Sequence, residues 1–163
     1  MRVLCCLDGT NAEQLGKAVS TMLRGDTLTV GLVYVIDSGP HADIERQRER
    51  FLRHPLPPPQ RREQMKQAEE ASAQEILEEG ARFLPGAERL RREGRPEREI
   101  VQCAAEWTAD LIVLCSRSML SQVPSLGPKS VGHVARFVLD HAPCPVLLIR
   151  PLSSEQLPHS RIV

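Results

Sequence analysis

RVLCCLDGTNAEQLGKAVSTMLRGDTLTVGLVYVI, residues 2–36, changes its hydrophobic rhythm twice, and those changes decide the fold. Arg2 to Leu7 is a short apolar run that stops at Asp8-Gly9. A run of that length without polar alternation suits a strand covered on both faces, as in a parallel sheet. Cys5 and Cys6 then point to opposite faces. Thr10 to Glu13 reads as a helix start, with a Thr cap and a Glu three residues later satisfying two orphan backbone donors. Leu15, Ala18, Val19, Met22 and Leu23 recur at helical spacing and give one apolar stripe. Arg24-Gly25-Asp26 ends that helix, and Leu28 to Ile36 is a second buried strand that closes at Asp37 to Pro40. Strand, helix and parallel strand make a right-handed βαβ unit.

Outward from this unit the alternation continues. Residues 38–60 are charged and end in Pro55-Leu56-Pro57-Pro58-Pro59, which no helix interior or central strand accepts. They read as an externally packed, variable connection, with room for a short helix over Ile44 to Leu52. Gln60 to Phe83 is a long helix, expected to turn Met65, Ala68, Ala71, Ser72, Ile76 and Phe83 inward. Ala87 to Arg92 is charged and fits an edge strand. Pro96 opens a third helix at the position where its missing N–H matters least, with Ile100, Ala104 and Trp107 toward the sheet. Leu111 to Leu114 is a fourth buried strand, Gly132 to His141 a helix, and Val146 to Ile149 a fifth strand. The order implies an α/β fold: a doubly wound, open, parallel five-stranded sheet in the Rossmann-like order 3-2-1-4-5, with helices on both faces. The expected domain is 1–151, with 152–163 as a tail. Ligands of such sheets bind at the carboxyl ends of the strands, here between Asp8 and the segment Cys115 to Ser118.

Bulk composition narrows the function. A chain of 163 residues suits one domain and buries roughly 70% of its unfolded surface. Lys+Arg and Asp+Glu are each 21, so the basic excess of a nucleic-acid binder is absent. Aromatic residues are 3%, too few for base-stacking platforms. The start carries no secretory signal pattern, and no apolar run is long enough to span a membrane, so a cytoplasmic protein is expected. The five cysteines show neither a C-x-x-C pair nor a Cys/His zinc spacing and read as small apolar residues in a reducing compartment.

Four segments together resemble the universal stress protein family. They are VLCCLDGT at residues 3–10, LVYVID at 32–37, GRPEREIVQCAAEWTADLIVL at 94–114 and GHVARFVLDHAPCPVLLIR at 132–150. The last is the most specific, and the resemblance runs from Arg2 to Arg150. In ATP-binding members the fourth strand leads into G-x-x-G, nine residues and G-[ST], glycines letting backbone amides approach phosphates. Here Cys115 and Ser118 stand at the two glycine positions, Gly132 is retained, and His133 replaces the Ser or Thr. Thirteen residues, Met119 to Val131, separate Ser118 from Gly132, four more than the family spacing. The resemblance implies that Asp8 lies by the nucleoside and Val35 by the base. Phosphates of ATP or AMP would lie near Ser116, Arg117, Ser118, Gly132, His133 and Val134, with Ser121 and Ser125 as further hydroxyls. It also implies a homodimer through Val146 to Ile149.

The residues themselves leave other readings open. Asp8 also suits a turn residue bonding the backbone of Thr10 or Asn11. Lys129-Ser130 lacks the preceding glycine of a phosphate-binding loop, Pro128 standing there. No G-x-S-x-G elbow or receiver-type acidic cluster appears, so no enzyme is expected and no metal. Two alternatives to a nucleotide sensor remain. One is a protein-interaction module using residues 38–60 and the long loop 119–131. The other is a thiol sensor at Cys115, its thiolate favoured by Arg117 and His133.

Overall fold

The computed structural model describes residues 1–23, 27–39, 58–116 and 131–150. Strand β1 (Arg2–Cys6) leads into helix α1 (Ala12–Met22), β2 (Thr29–Asp37), α2 (Pro59–Phe83), β3 (Glu88–Gly94), α3 (Pro96–Glu106), β4 (Leu111–Cys115), α4 (His133–His141) and β5 (Val146–Ile149). The sheet order is β3-β2-β1-β4-β5, the order expected for this chain. All four pairings are parallel, and Cys5 at the centre sits between Leu32 of β2 and Val113 of β4.

Side-chain alternation divides β1 between two cores. Val3, Cys5 and Leu7 join Leu15 and Val19 of α1 and Leu77 of α2 on one face. Leu4 and Cys6 join Ile100, Cys103 and Ala104 of α3 and Ala135 and Val138 of α4 on the other. Leu4, Leu15, Leu32 and Ile112 are wholly buried, each contributing about 2 kcal/mol by leaving water. Among the described residues no helix is long and apolar enough to cross a membrane.

Three expectations change. The capping box at Thr10 and Glu13 does not form: α1 starts at Ala12, its cap position is Asn11, and no side chain caps it. Thr10 Oγ1 donates instead to Asp8 Oδ1 at 2.9 Å. The inward stripe of α2 is Ala73, Leu77 and Gly80, whereas Met65 and Phe83 are exposed. Tight approach to the sheet explains the small residues, since a Cβ on Gly80 would meet Leu7 Cδ1 at 2.8 Å. Met22 is likewise exposed at the end of α1. The short helix expected over 44–52 lies outside the described residues.

The charged third strand is an edge, as its composition demands. Leu90 packs into the α3 face, Arg92 Nη2 pairs with Glu106 Oε2 at 2.6 Å, and Arg91 Nη1 lies 3.9 Å from Glu70 Oε1. At the amino edge of the sheet, Trp107 is buried, with the Arg2 guanidinium 4.1 Å from its ring centroid. Its Nε1 donates to Glu88 Oε2 at 2.8 Å.

Candidate functional site

At the opposite, carboxyl edge, β1 and β4 end side by side while their helices leave toward opposite faces of the sheet. This parting opens a cleft of about 420 Å³ on the α3–α4 side. Its floor is apolar, from Cys6, Val35, Ile100 and Leu114. Asp8, Asn11, Ser116, Gly132 and His133 bring polar groups to the rim.

The β1–α1 turn is tied by side chains. Thr10 donates its backbone N–H to Asp8 Oδ1 at 2.8 Å, so Asp8 does hold the turn. Asn11 accepts from the Asp8 backbone N–H at 3.0 Å and donates through Nδ2 to the Cys6 carbonyl, also at 3.0 Å. Asn11 is buried, so these bonds replace water that cannot reach it. Sequence reasoning missed Asn11; its signal is an amide side chain immediately before a helix that follows a buried strand.

β4 is bound at its end by the Ser116 backbone N–H donating to the Ile149 carbonyl at 2.9 Å, and Ser116 is buried. Cys115 belongs to the α1 face: its thiol lies 3.8 Å from Gln14 Oε1 and packs against the α1–α2 core. Its backbone is not in the positive-φ region, so a side chain costs no strain at this position. Strand alternation thus carries the Cβ that replaces the family glycine away from the α3–α4 half of the cleft.

The thiol itself runs against the sensor expectation. Burial pushes Cys115 up to about 11, with the Asp8 charge adding and an Asn11 hydrogen bond opposing. His133 does not serve it, for its Nε2 lies 3.7 Å from Glu97 Oε1 on α3. Arg117, the other expected activator, lies outside the described residues. Cys5 behind it is pushed up to about 12, again mainly by burial. Both thiols are protonated at neutral pH.

Gly132 turns the chain into α4 with φ 85° and ψ 160°, a region essentially confined to glycine. No side chain caps the helix it begins. His133, Val134 and Ala135 of the first turn line the cleft, so the backbone donors of that turn lie at its rim.

Of the expected site residues, Asp8, Val35, Cys115, Ser116, Gly132, His133 and Val134 surround this one cleft. Ser118, Ser121 and Ser125 fall with Arg117 outside the described residues. Tyr34 also lines the cleft and was not foreseen. Burial raises its hydroxyl, reinforced by Asp8, Asp37 and Glu69. Glu97, another omission, is visible only once α3 and α4 are packed together. Among the described residues no group of three or more His, Cys, Asp or Glu could hold a metal ion.

Comparison with known proteins agrees with the architecture. A universal stress protein of Thermus aquaticus is 37% identical over 67 residues, 41% of this chain and 46% of that protein, so the match spans less than half of that relative. Universal stress protein UspA from Lactobacillus plantarum has the same fold, with a TM-score of 0.62 at 22% identity, covering 92% of this chain and 97% of that one. A family member from Arabidopsis thaliana, solved with AMP bound, superposes with a TM-score of 0.58 at 17% identity, covering 98% and 97%. The model of the universal stress protein family matches residues 1–150: the chain belongs to that family.

Proposed function

We propose that this chain is a regulatory universal stress protein that holds an adenine nucleotide in the carboxyl-edge cleft and acts by binding rather than by catalysis. One observation carries the reading: the Asp8 turn, Val35 and the α4 start at Gly132 line a single cleft of about 420 Å³. That size falls within the range of small-molecule sites, and an apolar floor with a few convergent polar groups is their usual make-up. The base lies over Val35, Ile100 and Leu114, and the Asp8 carboxylate accepts from ribose hydroxyls. The phosphate meets Ser116 and the first-turn amides of α4, where the helix dipole favours negative charge. The Arabidopsis relative of this fold holds AMP.

Calorimetric titration with ATP, AMP and cyclic AMP tests the reading. Micromolar affinity for any of the three supports it. Silence with all three, and no nucleotide released when the purified protein is denatured, overturns it in favour of an interaction module of the same fold. The sheet ends at β5, whose four residues are each half-buried, and a second copy paired along this edge would cover it. Light scattering reading a dimer that a charged substitution at Leu147 disperses supports that assembly; a monomer at high concentration removes it.

A further inference from the structure

We infer that His133 reads the charge of the bound phosphate and makes nucleotide affinity depend on pH, an inference that rests on the nucleotide reading above. Among the described residues that line the cleft, His133 is the one side chain able to become cationic, and Asp8 is the one carboxylate. Phosphate binding there depends on whether this imidazole carries a proton.

Glu97 sets which nitrogen holds the proton. Its carboxylate, on a side chain with 12% exposure, faces His133 Nε2 at 3.7 Å, an ion-pair distance, while the imidazole is 79% exposed. The negative charge draws the ring proton to Nε2. The neutral ring then offers Nδ1 as an acceptor, which repels a phosphate oxygen. Adding a proton converts Nδ1 to a donor and gives a charge-assisted bond in its place. Glu97 from α3 faces His133; the other titratable groups lining the cleft are Asp8, Tyr34, Cys6 and Cys115, the last with its thiol turned toward α1, and Arg136 follows three residues on along α4. Burial raises both Tyr34 and Cys115, so they stay neutral between about pH 5 and 8. Histidine is the side-chain type whose charge changes within that range. At the family's Ser or Thr position, this chain thus has a donor that appears only on the acid side.

The test compares wild type with His133→Ser, which restores a hydroxyl that does not titrate and suits a helix start. AMP and adenosine are titrated into each protein at about pH 5.5 and about pH 8. The phosphate's own ionisation is common to both proteins and cancels in the comparison. Relative to His133→Ser, wild type should gain about tenfold in AMP affinity on acidification, with adenosine unchanged. The His133 imidazole, followed by NMR, should titrate at higher pH with AMP bound. Equal pH ratios for the two proteins, or an unmoved imidazole titration, would overturn the inference and leave the nucleotide reading standing. No binding of AMP or adenosine to either protein at either pH would remove both.

Discussion

The two ends of the cleft are built on different terms. At the β1–α1 end, Asn11 and Thr10 make four hydrogen bonds among Cys6, Asp8 and themselves, and Asn11 is buried. At the α4 end, the chain is directed by one glycine at φ 85° and flanked by the contact of His133 with Glu97 at 3.7 Å. The first end cannot change without loosening the sheet, so whatever it contributes to a ligand is tied to folding. The second can exchange side chains at little structural cost. It is there, at His133, that the chain departs again from the ATP-binding pattern of its family, an earlier departure being Cys115 at the end of β4.

The contrast can be broken at either end. Asn11→Ala should produce the largest loss, about 3 kcal/mol in urea denaturation, because it strands the buried Cys6 carbonyl and unpairs the partly buried Asp8 N–H; a loss under about 1 kcal/mol would mean that the turn is held by something else. Gly132→Ala should lower stability by about 2 kcal/mol, since alanine is strained at this backbone conformation, and should weaken AMP binding along with it. Unchanged affinity would show that the α4 start does not touch the ligand.

Alkali tests the thiols behind the cleft. Cys5 and Cys115 have folded values near 12 and 11 against an ordinary 9.0, so above pH 9 the unfolded chain gives up protons that the folded chain keeps. Stability is therefore full below about pH 9 and falls as pH rises toward those values, by about 1 kcal/mol per pH unit for Cys5. Denaturation curves at several alkaline pH values should show a falling stability, and Cys5→Ala should reduce the slope by its own share while Cys6 and Cys115 keep the rest. The smallest effect belongs to Thr10→Val, which removes an exposed hydroxyl bond to Asp8 and should cost about 0.5 kcal/mol.

The sheet was legible because its strands are nearly pure runs. RVLCCL and LIVL admit burial on both faces, and charged ERLRREG admits only an edge. Helix faces were less so. Met65 and Phe83 looked like core in α2 because they are large and apolar, yet contact with the sheet selects Ala73, Leu77 and Gly80. The size that fits between helix and strand decides there, and periodicity does not encode it. The cleft's position followed from topology, and Asp8, Val35 and Gly132 from the family pattern. Asn11 escaped because a polar residue before a helix reads as a cap, whereas its side chain turns back to β1. Glu97 escaped because its meeting with His133 depends on how α3 packs on α4, across thirty-five intervening residues.

The Arg2–Trp107–Glu88 stack at the amino edge bears on how this protein is observed. Trp107 is the chain's one tryptophan and Tyr34 its one tyrosine. The indole is sealed under a guanidinium at the edge remote from the cleft, while the phenol borders the cleft itself. The two intrinsic chromophores therefore divide the labour. Tryptophan emission reports first on the amino edge of the sheet, away from a guest in the cleft. Tyrosine absorbance responds to occupancy. A ligand screen is therefore better read at Tyr34, which borders the cleft, than by tryptophan fluorescence alone.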